Sequence, residues 1–335
     1  MKKSLFMGLA LTTMSIVSMT GCGNSGSGGG SSDGAVKIGI LQPNHPALAA
    51  ATNGFLSEIA ANGISVNPIL RMPSASGSDT NAIALDLVSQ CDMLLGVGTS
   101  ISQVLKGAIE GKGKEETASL LFTAVTDPVS AGLIPSPENG SGFCCGTTDM
   151  NPVDEQIALI KECNPDADKV GILYTVTEIN SKIQSDMAVA KIQSLGMEAV
   201  VSTCTGPSDI FTVANNLASV DGLDAIYIPT DNVIAENPGA VSSAVSGKGI
   251  LVVCGEESML KNCGSVTKSI NYTELGRKTG KMAVQILKGL KNAKDIPLEG
   301  ASAEECEYVM CLSNAADADV VLPDSVKNKC RNIEK

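Results

Sequence analysis

A chain of 335 residues is long for one small core and comfortable for two domains. An apolar content of 43% excludes disorder as the default state. A formal net charge of −12 excludes a nucleic-acid backbone as partner, because that needs clustered lysine and arginine.

Lys2 and Lys3 precede an apolar run from Leu5 to Met19, then Thr20-Gly21-Cys22. A basic start, a short apolar core and small residues before a cut predict a secretory signal over 1–21. The run is shorter than the about 20 residues a spanning helix needs. Cysteine directly after glycine resembles a bacterial lipobox, with Met19 where leucine is usual. Cys22 is then the lipidated first residue of the exported chain; the alternative is ordinary secretion. Residues 22–35, mostly Gly, Ser and Asn, read as a flexible tether spanning roughly 20 Å as a coil. The remaining cysteines contain no CxxC pair, which argues against structural zinc. Several, Cys204 and Cys254 among them, fall in apolar patterns where a free thiol packs as a small hydrophobe, and the sequence assigns no pairing.

The body of the chain states one pattern twice, at an offset of about 132 residues. Lys37–Leu41 (KIGIL) returns as Lys169–Leu173 (KVGIL), and Gly63–Val66 returns around Gly196–Val200. Cys91–Leu95 is matched by Leu223–Tyr227, and Leu120–Val125 by Ile250–Cys254. Between them lie helical patterns, Leu48-Phe55-Ile59 closed by Asn62-Gly63 and Ile179-Ile183-Met187-Ala190 closed by Gly196. Strands alternating with helices imply parallel sheets with right-handed crossovers. The expected fold is α/β, with two doubly wound, Rossmann-like lobes. Leu120–Val125 breaks at Asp127-Pro128, and the Pro- and Gly-rich stretch beyond Gly132 reads as a passage between lobes. Gly264–Ile270 is strand-like, and Asn271 opens a helix with Leu275, Met282, Ala283 and Ile286 on one face. That helix is expected to cross back to the first lobe. Tyr308–Leu312 and Asp319–Val326 return to strand and helix.

In such sheets a ligand lies beyond the carboxyl ends of the first and third strands. The repeat therefore selects His45, Thr99, Ser100, Thr126 and Asp127 in the first lobe. In the second it selects Tyr174, Glu178, Asn180, Ser181, Asp231, Asn232 and Glu256. Thr99-Ser100 and Asn180-Ser181 open helices whose hydroxyls and N–H groups cradle an anion such as a carboxylate. Asp231 meets an ammonium. Hydroxyl donors facing acids suit a zwitterion, although each of these residues is also an ordinary helix cap. Tyr174 is the stacking candidate, its alternative being a core tyrosine. His45 is the only histidine, and no GxSxG elbow, P-loop or HExxH is present, so catalysis, metal and cofactor are not expected.

Several stretches resemble the substrate-binding lipoproteins of ABC importers, specifically the tryptophan/tyrosine-type group. They are KIGILQ with HPAL (Lys37–Gln42, His45–Leu48), FTAVTDPVSAGL (Phe122–Leu133) and Asp149–Gln156. The others are Tyr174–Ser181, PTDN (Pro229–Asn232) and YTELGR (Tyr272–Arg277). The resemblance implies a type I periplasmic-binding-protein fold, with a three-strand hinge closing on a small solute. It places the first lobe at 36–147 plus 270–292 and the second at 148–269 plus 293–335. It implies an aromatic amino acid as ligand, an ABC permease and ATPase as partners, membrane attachment through the lipid anchor, and a monomer. The chain departs from the pattern in having no tryptophan, five phenylalanines and four tyrosines, and in Glu256-Glu257 where a Ser/Asp-rich turn is expected. A ligand-sensing lipoprotein, or a sugar or nucleoside binder of the same fold, is the competing expectation.

Overall fold

A computed structural model describes residues 35–74 and 77–334. The expected signal segment, the lipidated Cys22 and the tether up to Gly34 lie outside the described residues.

The first lobe begins β1 (Val36–Leu41), α1 (Pro46–Ala61), β2 (Val66–Arg71), α2 (Thr80–Gln90), β3 (Met93–Val97), α3 (Thr99–Gly111) and β4 (Ser119–Val125). The Pro- and Gly-rich stretch after Gly132 does not leave this lobe. It returns as β5 (Cys144–Thr148), which pairs in parallel with β4. The exit comes only at Asp149–Pro152. Pairing β5 there covers the otherwise open edge of a strand that is buried on both faces.

The second lobe continues with α4 (Val153–Cys163), β6 (Lys169–Thr175), α5 (Ile179–Ser194), β7 (Glu198–Cys204), α6 (Ile210–Leu217), β8 (Ala225–Ile228), α7 (Asn232–Ala235), α8 (Pro238–Val245), β9 (Leu251–Cys254), α9 (Glu257–Leu260) and β10 (Val266–Ser269). The chain then recrosses as α10 (Tyr272–Leu287) and the short β11 (Glu299–Gly300). It ends in the second lobe with β12 (Glu307–Met310), α11 (Leu312–Asp317), α12 (Asp324–Lys327) and β13 (Arg331–Asn332).

The strand orders are β11-β5-β4-β3-β1-β2 and β13-β12-β10-β9-β8-β6-β7. With corresponding strands aligned, both sheets read 2-1-3-4-5, the doubly wound order, and only β10–β12 pairs antiparallel. The repeat in the sequence is thus a repeat of topology. The glycine at the centre of KIGIL and KVGIL shows why it recurs. Gly171 admits Leu217 of α6 at a distance where a side chain would collide, and at Gly39 an added β-carbon would press on Leu94, Cys91 and Leu87 at 3.1–3.3 Å. The second strands start later than the pattern suggested. Gly63 and Gly196, at φ 71 and 76, only end the preceding helices.

In the first lobe α1 and α10 cover one sheet face and α2 and α3 the other. Helices α1 and α10 touch backbone to backbone: a methyl group at Gly276 would run into the Ala51 carbonyl, and one at Gly54 into that of Thr273. A buried hydroxyl chain, Thr123 to Thr147 (3.0 Å) to Thr279 (2.8 Å), ties α10 to β4 and β5. The segment from residue 293 also stays here, beyond the point where the sequence suggested recrossing. Ala293 and Ile296 are buried in the first-lobe core, and β11 pairs with β5. Recrossing therefore occurs between Gly300 and Glu307.

The first two crossings are tied together. Ile270 N–H donates to Asn151 Oδ1 at 3.2 Å, and the Tyr272 hydroxyl donates to Asp149 Oδ2 at 3.0 Å. On the second-lobe side, buried Gln156 of α4 donates to the carbonyls of Gly255 and Lys268 and accepts from the Tyr227 hydroxyl.

Candidate ligand-binding site

Between the lobes, at the carboxyl ends of both sheets, lies a small polar cavity of about 20 Å³. The first lobe and its returning helix contribute His45, Leu48, Thr99, Ala124, Thr126, Asp149 and Tyr272. The second contributes Asn180, Thr230, Asp231, Asn232 and Glu256.

Each first-lobe residue is placed by a local backbone event. Pro46 starts α1, where its missing N–H costs nothing, and His45 caps the helix by accepting from Ala47 N–H through Nδ1 at 3.2 Å. Nε2 is left facing the other lobe, 3.8 Å from Glu256 Oε1. Gly98, at φ 96, turns β3 into α3 and offers no side-chain cap, so the first-turn N–H groups have no side-chain partner beside Thr99, which lines the cavity. Ala124 sits at φ 55, a left-handed conformation uncommon for a residue with a β-carbon, where the β4–β5 register shifts. The bulge brings Thr126 to Asp149, whose Oδ1 accepts from Thr126 Oγ1 at 3.0 Å. Burial pushes the Asp149 carboxyl up, opposed by the hydrogen bonds from Tyr272 and Thr126.

The second wall is built from caps. Asp231 caps α7, with Oδ1 accepting from Ile234 N–H (2.9 Å) and Thr175 Oγ1 (3.0 Å) and Oδ2 from Thr175 N–H (2.6 Å). Burial raises its pKa against these bonds. Asn180 Nδ2 donates to the Thr230 carbonyl at 2.8 Å. Glu256 caps α9 by accepting from Met259 N–H, Ser258 N–H and Ser258 Oγ. Thr230 Oγ1 is buried on the cavity wall without a partner in the protein. Such a group is normally satisfied by something else.

Of the residues singled out in the sequence, His45, Thr99, Thr126, Asn180, Asp231, Asn232 and Glu256 line the cavity. The other five do not. Ser100 is exposed on the far side of the α3 start. Asp127 is occupied in its own turn, accepting from Val129 N–H, Ser130 N–H and Ser130 Oγ. Ser181 stands behind the wall and donates to the Thr230 carbonyl at 2.8 Å. Glu178 accepts from Asn232 Nδ2 at 2.9 Å, and burial followed by the nearby Asp231 charge pushes it up to about 7. Tyr174 packs in the second-lobe core with Ile172 and Tyr227, which is the core role and not the stacking one.

Leu48, Ala124, Asp149, Thr230 and Tyr272 line the cavity and were not singled out. Asp149 and Tyr272 do lie in stretches carrying the family resemblance, at crossings that only the topology brings together. Thr230 lies within PTDN, and its neighbour Asp231 drew the attention. Ala124 left no signal, because its φ is not written in its side chain.

The sequence profile described as ABC transporter substrate binding protein matches residues 37–333. A curated relative, the tyrosine-binding protein of Clostridioides difficile (strain R20291), is 29% identical over 296 residues, covering 87% of this chain and 83% of that protein. Among solved structures, an ABC domain from Streptococcus pneumonia in complex with L-Trp superposes with a TM-score of 0.80 at 27% identity, covering 89% of this chain and 99% of that one. The ligand-free, open structure of a substrate-binding protein with adhesive properties from Clostridium difficile gives 0.67 at 28% identity, covering 90% and 99%.

Proposed function

Because this chain belongs to the ABC transporter substrate-binding protein family, we propose that its cleft binds an aromatic L-amino acid and presents it to a membrane permease and its ATPase. The family is one of binding proteins, extracytoplasmic by role, and not an enzyme class. The observation that carries the ligand class is the charge layout of one enclosed cavity. Buried carboxyls of Asp149, Asp231 and Glu256 stand on its walls, no lysine or arginine lines it, and the uncapped start of α3 supplies positive N–H groups. An ammonium suits the acids and a carboxylate suits the helix start, which describes an α-amino acid. Leu48, Ala124 and the Tyr272 ring supply the apolar surface for the side chain, and the unpartnered Thr230 hydroxyl supplies a further hydrogen bond.

Closure is a hinge motion that the solute stabilises. At nearly equal identity, the chain superposes better on the L-Trp complex than on the ligand-free, open relative, as rotation of two rigid lobes produces. Cys22 carries the lipid anchor and 22–35 the tether, and a single chain holds the complete site. Among the described residues no helix is long and apolar enough to cross a membrane.

Calorimetric titration with L-tryptophan, L-tyrosine and L-phenylalanine, against glucose and adenosine, tests the ligand class. At least one aromatic amino acid binds one to one, and Asp231→Asn or Asp149→Asn weakens it by about 2–5 kcal/mol. Binding of glucose or adenosine alone, or undiminished amino-acid binding by both variants, rejects the assignment.

A further inference from the structure

Cys254 ends β9 and Cys263 follows α9, so the two cysteines bracket the loop that carries Glu256 to the cleft. Both are buried in the same second-lobe core cluster, at 0% and 3% exposure. Residue 264 is glycine, and a β-carbon there would stand 2.5 Å from Cys254 Sγ. The Cys254 sulfur therefore lies against the backbone immediately beyond Cys263. The Cys263 sulfur turns inward as well, 3.5 Å from the Met259 carbonyl. The thiols are neighbours to the degree that the Cys263 side chain is the largest influence holding Cys254 protonated. All ten described cysteines are free thiols in this structure. The family works outside the cytoplasm, where disulfides form and persist.

We propose that in the exported protein Cys254 and Cys263 are joined as a disulfide that clamps the base of the Glu256 loop. One thiolate attacks the disulfide of an extracytoplasmic thiol oxidase, and the second displaces that enzyme from the mixed disulfide. Two S–H bonds are lost from the chain and one S–S bond forms. One S–S bond breaks in the oxidase, whose sulfurs leave as two thiols carrying the two electrons and two protons. Burial keeps an oxidant away from the finished core, so exchange takes place while the second lobe is assembling. The link shortens the unfolded chain at this loop and holds Glu256 opposite His45. It is independent of which solute is bound.

The sequence makes the test direct, because Lys261 lies between the cysteines and Lys248 and Lys268 flank them. Trypsin therefore places Cys254 in Gly249–Lys261 and Cys263 in Asn262–Lys268. The full chain, exported through its own leader and alkylated before digestion, yields these two peptides joined under non-reducing conditions and separate after reduction. Recovery of both as alkylated free thiols, or either joined to another cysteine, overturns the proposal. The melting temperature gives an independent reading. Exported protein melts several degrees above the same chain refolded in reductant, whereas the Cys254→Ala/Cys263→Ala double variant shows no such difference. Equal melting of the oxidised and reduced wild type overturns the clamp.

Discussion

His45 Nε2 stands 3.8 Å from Glu256 Oε1, and the two residues belong to opposite lobes. Each is fixed by capping a helix, so the pair meets only when the lobes come together. The contact joins the two lobes across the cleft and is expected to stabilise their closed arrangement. His45→Asn keeps a side-chain acceptor for Ala47 N–H while removing the cross-cleft group. It is expected to cost about 1 kcal/mol of ligand affinity with little change in fold stability. Titration calorimetry checks this, and unaltered affinity would show that the pair contributes nothing to closure.

Tyr272 lines the cavity, whereas Tyr174, the stacking candidate in the sequence, packs in the core of the second lobe. Tyr272→Phe removes the hydroxyl that donates to buried Asp149 and leaves that carboxyl with one donor fewer. A loss of about 1–3 kcal/mol in stability is expected, with ligand binding weakened in parallel. Tyr174→Phe, in the core of the second lobe, is expected to leave affinity within about twofold, roughly 0.4 kcal/mol. Equal effects on binding would contradict the placement.

Ala124 holds a left-handed backbone beside the cavity. Glycine takes that conformation without strain, so Ala124→Gly is expected to be neutral or to stabilise by up to about 1 kcal/mol. Ala124→Val is expected to destabilise by about 1–3 kcal/mol. Urea unfolding of the two variants checks the sign of each.

Gly276 lets α10 lie on the backbone of α1. Gly276→Ala raises intrinsic helix propensity, yet the added methyl meets the Ala51 carbonyl, and overpacking should win by about 3 kcal/mol. A chemical denaturation curve shifted to lower midpoint is the expected result; a shift upward would mean the helices can separate at no cost.

Glu178 supplies a pH dependence. Its folded pKa, raised from 4.5 to about 7, means that the folded chain keeps a proton that the unfolded chain has lost. Its contribution is therefore fully present below about pH 4.5, declines through the window and is lost above about pH 7, amounting to about 1–3 kcal/mol. Glu178→Gln is expected to flatten that decline, measured as unfolding free energy at pH 4.5, 6 and 7.5.

The lobes were legible because they are repeated: KIGIL and KVGIL mark equivalent strands, and the glycine in each is closely covered by its neighbours. Positions after those strands were legible too, since His45, Thr99, Asp231 and Glu256 follow from topology and capping chemistry. What escaped was longer in range. Asp149 becomes part of the site only through Thr126 and Tyr272, which lie far from it in sequence. Strand β5 hid in a stretch rich in proline and glycine because its pairing with β4, and not its composition, defines it. Ser100, Asp127 and Ser181 have the right chemistry at the right strand ends, but local turns and the helical period point them elsewhere.

The hydrogen bonds between Asn151 and Ile270, and between Asp149 and Tyr272, make the first two crossings a single ribbon instead of two separate strings. A ribbon flexes easily across its flat face and resists shear and twist. The lobes consequently part along one arc about the ribbon, with Asp149 staying near its axis. A solute arrives from the side opposite the ribbon, and the two rims always separate in the same relative orientation. A membrane partner then needs to read only one coordinate, the gap between those rims, to distinguish a loaded carrier from an empty one.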